Sequence, residues 1–290
     1  MTLPVELVRT CAREALAEDL GDGVDLTSRV SVPEGLPATG VILAREDGVL
    51  AGLELAKQCF AILDSSGTFT AECEDGAVLR AGDVIARVSG DARAILAAER
   101  TALNFLQHLS GVATLTRRFV AAVDGLAVSI LDTRKTTPLL RVFEKRAVRV
   151  GGGDNHRAGL FDQILLKENH FSLAGRPYQQ VVEAAVATAK ATVVAEAQTL
   201  EEGLAAVVGG AGVVLLDNFA PGDDLSRVVA SIRERADQLG RVVQIEVSGR
   251  VTLSTVRSFA ECGVDRISVG ALTHSAGALD ISMTTELPRD

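Results

Sequence analysis

The second half of the chain repeats one pattern, a short apolar run that ends in polar or glycine residues. Six such runs are present, at 128–131, 164–166, 193–195, 213–216, 243–247 and 267–269. Stretches with apolar residues at three- and four-residue spacing lie between them, including 178–190, 200–208 and 225–238. Thr199 and Glu202 have the spacing of a capping box at the start of one of these helices. Alternating strands and helices predict a parallel sheet with right-handed crossovers.

The first half has a different pattern, which predicts a separate α+β domain. Apolar periodicity predicts helices over 5–18 and 95–119. Short apolar runs separated by Gly-Asp and Asp-Gly turns predict strands at 41–44, 68–73 and 84–88.

Length and composition limit the classes of protein that this chain can be. Its 290 residues allow two ordinary domains, or a barrel with an appendage. A net charge of −9 and an aromatic content of 3% argue against nucleic-acid binding, which needs clustered cations and stacking platforms. The apolar runs are too short to cross a membrane, and the first residues lack the features of a signal peptide. Four scattered cysteines fit reduced thiols, so we expect a cytoplasmic protein.

One segment departs from the acidic average. Residues 131–160 hold seven lysines and arginines against three acidic residues. Arg141, Lys145 and Arg149 fit the solvated face of a helix. The remaining cations would suit a pocket for a small polyanion.

A parallel barrel places the carboxyl ends of all its strands at one mouth, where active sites lie. Any single polar residue after a strand is weak evidence, but six strand ends in succession carry complementary cations and carboxylates. The donors suited to carboxylates or phosphates are Arg134, His156, Arg157 and Lys167. Glu196 and Asp217 suit Mg²⁺ or a developing positive charge. Ser248-Gly249 and Val269-Gly270-Ala271 would offer backbone N–H groups to a phosphate.

At the level of motifs, the chain resembles the quinolinate phosphoribosyltransferase family. The motifs that carry the resemblance are ERTALNFLQ (99–107), LDTRKTTP (131–138), GGG with NHR (151–157), LKENH (166–170), LDNF (216–219), EVSG (246–249) and SVGALTHS (268–275). Together they extend from EDLG (18–21) nearly to the C-terminus.

The resemblance implies a fold and a reaction. The fold is an N-terminal α/β sandwich at 1–112, an incomplete parallel α/β barrel at 113–272, and a C-terminal segment at 273–290 that packs back on the first domain. The reaction is Mg²⁺-dependent transfer from phosphoribosyl pyrophosphate to quinolinate, which yields nicotinate mononucleotide, pyrophosphate and CO₂ for NAD synthesis. The resemblance also implies a homodimer, with any higher assembly left open.

The resemblance assigns roles to individual residues. Arg134, His156, Arg157 and Lys167 would hold the carboxylates of quinolinate, and Arg100 would reach the same pocket from a partner subunit. Lys135, beside Thr133, would meet phosphoribosyl pyrophosphate, whose ribose and metal would contact Glu196 and Asp217. The catalytic residues would be Lys135, Glu196 and Asp217. The 5′-phosphate would lie on the loops Ser248, Gly249, Arg250 and Val269, Gly270, Ala271.

Three residues depart from the family pattern. Leu139 stands where glycine is usual, Arg146 where tyrosine is usual, and Arg250 where a small or neutral residue is typical. Arg250 either adds a phosphate contact or points outward. These departures leave substrate preference open and the reaction class intact.

Four other classes of protein share part of these features. A paralogous group associated with molybdenum transport shares the DTRK segment but departs at the KENH strand end. Lys167 could be the Schiff-base lysine of an aldolase, which needs an apolar pocket or a neighbouring cation. A non-catalytic binding protein would lack part of the cation and carboxylate set. The nucleobase-type phosphoribosyltransferase fold is not supported, because Asp217 is a single acid where that fold carries two.

Overall fold

The structure is a computed structural model that describes residues 3–21 and 23–287. It divides into two compact units. The N-terminal unit comprises the residues up to Leu115, Arg149–Gly151, and the residues from Ala276 onward. The barrel unit comprises Thr116–Val148 and Gly152–Ser275.

Helices and strands alternate along most of the chain. The helices are α1 (Val5–Leu20), α2 (Leu26–Ser31), α3 (Leu53–Leu63), α4 (Ala92–Ala122), α5 (Arg141–Val150), α6 (Glu168–Leu173), α7 (Tyr178–Thr188), α8 (Leu200–Gly209), α9 (Asp223–Gln238), α10 (Val256–Glu261) and α11 (Ala271–His274). The strands are β1 (Pro37–Ala44), β2 (Gly48–Val49), β3 (Thr68–Ala71), β4 (Val78–Leu79), β5 (Val84–Asp91), β6 (Ser129–Leu131), β7 (Ile164–Leu166), β8 (Val193–Ala197), β9 (Val213–Asp217), β10 (Gln244–Ser248), β11 (Arg266–Ser268) and β12 (Ile281–Glu286).

The N-terminal unit is built on an antiparallel sheet with the order β12-β1-β5-β3. The predicted strands of this half are confirmed as β1, β3 and β5, and the predicted helices as α1 and α4. Buried and less buried residues alternate along β1, so one face of this strand packs on apolar side chains. The edge strand β12 comes from the C-terminal segment and pairs in register with β1 from Thr39 opposite Glu286 to Ala44 opposite Ile281.

The barrel unit is built on a six-stranded parallel sheet with the order β6-β11-β10-β9-β8-β7. All six predicted strands are confirmed, and the first strand of the unit pairs with the last, as a closing barrel requires. Within the described residues β6 and β7 do not pair with each other, so the barrel is open on that side. The fold class predicted above, α/β with an incomplete parallel barrel, is therefore confirmed.

Local sequence explains how the barrel helices form. Thr199 caps α8 by accepting a hydrogen bond from the Glu202 backbone N–H at 3.2 Å, an interaction worth about 1 kcal/mol. The Glu202 carboxylate accepts from the Gln198 N–H at 2.7 Å rather than from Thr199, so only half of the predicted capping box forms. Helix α9 buries a stripe at helical spacing, Leu225, Val229, Ile232 and Ala236. No helix in the described part of the chain is both long and apolar enough to cross a membrane.

Candidate active site

An open cleft of about 660 Å³ lies at the carboxyl ends of the barrel strands. Its polar and glycine lining consists of Thr133, Arg134, Lys135, His156, Arg157, Lys167, Asp217, Asn218, Glu246, Ser248, Gly249, Arg250, Ser268, Gly270 and His274, with Leu165, Leu215, Val251, Val269 and Ala271 as apolar neighbours. Cations outnumber carboxylates in this lining, so the cleft is suited to an anionic ligand.

Strand register explains why these side chains meet. Asp217, Ser248 and Ser268 are consecutive partners across β9, β10 and β11. Two residues earlier on these strands, Leu215, Glu246 and Arg266 are partners in the same way. Since residues two apart point to the same face of a strand, the two rows form successive layers of the barrel interior.

The site residues predicted from the sequence fall into three groups. Thirteen of them line the cleft, namely Thr133, Arg134, Lys135, His156, Arg157, Lys167, Asp217, Ser248, Gly249, Arg250, Val269, Gly270 and Ala271. Glu196 is a direct partner of the cleft residue Lys167. Arg100 belongs to the N-terminal unit, where it is exposed on α4.

Two guanidinium groups dominate one side of the cleft. Arg134 is exposed, and Arg157 is half-buried and donates to the Gln163 carbonyl at 3.3 Å. Burial lowers the pKa of the Arg157 guanidinium, and the positive charge of Arg134 lowers it further. The Arg157 guanidinium remains charged, since arginine does not deprotonate in proteins. A bound anion between Arg134 and Arg157 would relieve their repulsion.

Arg141 holds this part of the cleft together from α5. Its guanidinium donates to the Thr136 hydroxyl at 3.0 Å, to the Ala158 carbonyl at 3.1 Å and to the Arg134 carbonyl at 3.4 Å. It thus joins the loop that carries Arg134 to the loop that carries Arg157. The expectation that Arg141 is a solvated helix-face charge is wrong, because its guanidinium is hydrogen-bonded to both loops.

The same expectation is wrong for Lys145, which is buried. Its ammonium group pairs with Asp132 and donates to the His156 carbonyl at 2.9 Å. Asp132 also accepts from the His156 N–H at 2.8 Å and from the Asn155 side chain at 2.6 Å. Burial lowers the pKa of Lys145 and raises the pKa of Asp132, against the attraction between the two charges. This network fixes the backbone on which His156 and Arg157 stand.

The interior of the barrel contains a buried carboxylate for which the sequence predicted no role. Glu246 accepts from the Ser268 hydroxyl, and its oxygens lie 3.3 Å from His156 Nε2 and 3.1 Å from Arg266 Nε. Burial acts to raise the pKa of Glu246, but His156, Arg266 and Ser268 outweigh it and hold the pKa below its ordinary value. Glu246 is the acidic residue inside an apolar strand, two positions before Ser248. Residues two apart on a strand share a face, so this spacing could have indicated that Glu246 faces the site.

Lys167 and Glu196 form an ion pair beside the cleft. Lys167 Nζ lies 2.8 Å from Glu196 Oε2, and the other carboxylate oxygen accepts from the Glu168 N–H at 3.2 Å. The side chain of Lys167 is 52% exposed and that of Glu196 is 7% exposed. This environment is not the apolar pocket of a Schiff-base lysine. His170 accepts from the Lys167 backbone N–H at 2.9 Å, so it orients the backbone rather than the ammonium group.

The charges of Lys167 and Glu196 both affect the pKa of Asp217. Burial raises the pKa of the Asp217 carboxyl, and the negative charge of Glu196 raises it further, whereas Lys167 and Lys135 lower it. A divalent cation would relieve the repulsion between the two carboxylates. No group of three or more acidic, histidine or cysteine side chains among the described residues could hold a metal by itself. Two carboxylates are donors of the type that Mg²⁺ takes when substrate phosphates supply its other ligands.

Two loops that contain glycine also line the cleft. Gly249 has a φ of +98°, and a Cβ there would lie 2.9 Å from the Asn218 side chain. A Cβ on Gly270 would lie 3.0 Å from His274 Nε2 and 3.1 Å from Lys135 Cδ. Glycine at these positions lets neighbouring groups approach the backbone closely.

The fold and the site define the class of the protein, an open α/β-barrel enzyme that handles a polyanionic substrate. Comparison with known families is specific. Residues 25–110 match the N-terminal domain of quinolinate phosphoribosyl transferase, and residues 112–284 match the C-terminal domain of that enzyme.

Individual relatives match over nearly their whole length. A probable nicotinate-nucleotide pyrophosphorylase [carboxylating] from Bacillus subtilis is 39% identical over 94% of this chain and 91% of its own. The nicotinate-nucleotide pyrophosphorylase [carboxylating] of Mycobacterium leprae is 39% identical over 96% and 97%. The solved structure of the nicotinate-nucleotide pyrophosphorylase from Francisella tularensis superposes with a TM-score of 0.90 at 37% identity, covering 98% of both chains. The chain belongs to the quinolinate phosphoribosyltransferase family and is a pentosyltransferase.

Proposed function

We propose that this protein transfers the phosphoribosyl group of phosphoribosyl pyrophosphate to quinolinate and releases nicotinate mononucleotide, pyrophosphate and CO₂. The observation that carries the proposal is one cleft that combines guanidinium groups with glycine-containing loops at the carboxyl ends of parallel strands. Arg134 follows the edge strand β6, and the Ser248 and Gly270 loops follow the strands β10 and β11. A dicarboxylate and a sugar phosphate can then bind together.

The cationic side suits quinolinate. Arg134 and Arg157 present fork-shaped donors that match carboxylates. Lys167 has three donors and gives one to Glu196, so the others are available to a ligand. His156 lines the same side and forms part of the wall against the pyridine ring.

The glycine-containing loops and the residues on either side of Arg134 suit phosphoribosyl pyrophosphate. Lys135 and Thr133 would meet the pyrophosphate, and the loops at Ser248–Gly249 and Val269–Ala271 would hold the 5′-phosphate. The backbone N–H groups of Gly249 and Gly270 donate to no protein acceptor in the described part of the chain, so they are available to phosphate oxygens.

Glu196 and Asp217 would stabilise the chemistry at the ribose. When the bond between C1 and the pyrophosphate oxygen breaks, its electron pair leaves with pyrophosphate and positive charge builds on the ribose. The quinolinate nitrogen then bonds to C1. Loss of the 2-carboxylate as CO₂ leaves an electron pair on the ring carbon beside the positive nitrogen, and a proton takes its place. Bound Mg²⁺, held by Glu196 and Asp217 together with the substrate, would neutralise the departing pyrophosphate.

We further propose a homodimer in which Arg100 of one protomer completes the site of its partner. The exposed position of Arg100 on α4 leaves its guanidinium accessible to another chain. A dimer of this kind is symmetric, so each protomer gives and receives one arginine.

Mass spectrometric detection of nicotinate mononucleotide tests the reaction. We expect product from quinolinate, phosphoribosyl pyrophosphate and Mg²⁺, no product after chelation of the metal, and little product when nicotinate replaces quinolinate. Robust turnover of nicotinate would contradict the proposed substrate.

Mixing variants tests the shared site. Arg100→Ala and Glu196→Ala should each be inactive alone. After subunit exchange, mixed dimers carry one intact site each, so about a quarter of wild-type activity should return. Failure to recover activity in demonstrated heterodimers would show that Arg100 does not act across the interface.

A further inference from the structure

Helix α6 begins directly after Lys167 and buries very little of its own surface. It is six residues long, and five of them are exposed, whereas Phe171 is half-buried. Helices this short are marginal by themselves, so contacts with neighbouring elements must hold α6 in place. Because Lys167 is the residue before this helix, the same contacts fix the backbone from which the Lys167 ammonium group reaches Glu196.

The ring of Tyr178 supplies one of these contacts. Tyr178 is the first residue of α7, and its ring stacks on that of Phe171 with a centroid distance of 3.9 Å and an interplanar angle of 14°. Such a pair is held by the dispersion and the apolar surface of both rings. The stack therefore joins the start of α7 to the half-buried side chain of α6.

The hydroxyl of the same side chain reaches a different element. It donates to the backbone carbonyl of Glu196 at 2.7 Å, near the carboxyl end of β8. Burial raises the pKa of Tyr178, and the negative charges of Glu202 and Glu196 raise it further, so the hydroxyl keeps its proton and remains a donor. Tyr178 thus contacts α6 through its ring and β8 through its hydroxyl.

Side chains at the end of β8 connect the same two elements. The Glu196 carboxylate accepts from Lys167 Nζ at 2.8 Å and from the Glu168 N–H at 3.2 Å. Gln198, which follows β8, donates to the Glu168 carboxylate at 3.3 Å. Together with Tyr178, these contacts fix the position of the Glu196 carboxylate relative to the start of α6.

We propose that Tyr178 is a positioning residue for the transfer reaction and that it acts through Glu196. The proposal rests on the proposed function for the role of Glu196 at the ribose. Because that carboxylate would act on charge that develops only in the transition state, its misplacement should lower kcat more than it raises KM.

Steady-state kinetics of Tyr178→Phe test this role, because the variant keeps the ring and loses only the hydroxyl. We expect kcat to fall about tenfold, with KM for quinolinate and for phosphoribosyl pyrophosphate within about threefold. Phe171→Leu, which removes the stack and keeps the hydroxyl, should lower kcat in the same way. Thr188→Val is the matched control, because it removes another hydroxyl of α7, one that donates to the Ala184 carbonyl at 3.0 Å. Its kinetics should equal those of the wild type.

A double-mutant cycle identifies the residue through which Tyr178 acts. Glu196→Asp keeps the charge but moves the carboxylate back by one methylene group. Adding Tyr178→Phe to this variant should lower kcat by less than about twofold, since the carboxylate is already out of position. A loss in this background as large as in the wild type, or an unchanged kcat in Tyr178→Phe itself, would overturn the proposal.

Hydrogen exchange separates the proposal from the reaction. The amides of His170 and Phe171 donate to the Lys167 carbonyl, at 2.7 Å and 3.2 Å. In Tyr178→Phe, exchange of the segment 167–173 should become about fivefold faster, whereas in Thr188→Val it should match the wild type. Faster exchange, in a protein whose wild type forms no nicotinate mononucleotide, would remove the proposed reaction and leave the anchoring of α6 by Tyr178 standing. Unchanged exchange in Tyr178→Phe would overturn the proposal even if the wild type forms product.

Discussion

His156 Nε2 lies 3.3 Å from Oε1 of Glu246, and both side chains are almost completely shielded from solvent. The other ring nitrogen, Nδ1, accepts a hydrogen bond from the Arg157 N–H at 2.8 Å. Nδ1 therefore acts as an acceptor, and the Nε2 edge of the ring faces the carboxylate. Glu246 thus lies against the imidazole ring that holds the backbone N–H of Arg157.

Replacing Glu246 should make the fold less stable in a pH-dependent way. Glu246→Gln leaves Arg266 and His156 without their carboxylate, a change expected to cost about 3–5 kcal/mol at pH 7. Because the pKa of Glu246 is lowered in the folded state, its contribution is present above the ordinary value of 4.5 and is lost as the pH falls below that value. Urea unfolding from pH 7 to pH 3 should show the difference from wild type shrinking.

Glu261→Gln is the control for this prediction. Glu261 is 55% exposed and pairs with Arg257 at helical spacing, so its loss should change stability by about 0.5 kcal/mol or less. A Glu246→Gln penalty that stayed constant down to pH 3 would contradict the role of the carboxylate charge.

Removing the Arg141 guanidinium should weaken quinolinate binding. Arg141→Met deletes three hydrogen bonds that join the loops of Arg134 and Arg157, so KM for quinolinate should rise about tenfold or more. Added guanidinium ion should restore part of the loss. Arg227→Met, which removes an exposed arginine of α9, should behave as wild type. Steady-state values for Arg141→Met within twofold of wild type would show that the loops hold without it.

A methyl group at Gly270 should impair the enzyme without unfolding it. Its φ of −64° suits alanine, but the new Cβ would press on His274 and on Lys135, both of which are flexible side chains. Gly270→Ala should therefore melt near the wild-type temperature while kcat/KM for phosphoribosyl pyrophosphate falls about tenfold. Adding His274→Ala should recover part of the loss by giving Lys135 room. A double variant no better than Gly270→Ala would indicate that crowding is not the cause.

The charge state of Asp217 should set the acidic limit of activity. Burial and the charge of Glu196 raise its pKa above the ordinary 3.8, so kcat/KM should fall with decreasing pH at a value above 3.8. Lys167 lowers this pKa, so Lys167→Met should move the acidic limb to higher pH in addition to lowering the rate. If the acidic limb of the pH profile stays at the same pH in Lys167→Met, a group other than Asp217 sets it.

Local patterns predicted the barrel strands because each is a continuous apolar run between polar ends. Strand β12 was not predicted as a strand, because its ordering depends on pairing with β1 more than 230 residues away. Lys145 illustrates the same limit in the site. Its spacing on α5 is that of a surface charge, and only the fold brings Asp132 beneath it.

The sequence also predicted most, but not all, of the residues of the candidate site. Strand ends identified most of the cleft, because parallel strands bring their carboxyl ends to one edge. The spacing of Glu246 and Ser248 was a usable signal, but the pairing of Glu246 with Arg266 depends on strand register, which the sequence does not show. The sequence shows Leu139 and Arg250 as unusual residues. Their shared feature, a left-handed backbone, is visible only in the folded loops.

Release of labelled CO₂ from quinolinate that carries the label in its 2-carboxylate tests whether this cleft catalyses the reaction. We expect release that requires phosphoribosyl pyrophosphate, matches nicotinate mononucleotide in amount, and is lost in Arg134→Ala and Glu196→Ala but kept in Arg227→Ala. No release by the wild type, or equal release by the wild type and both cleft variants, would contradict the assignment of this reaction to this cleft.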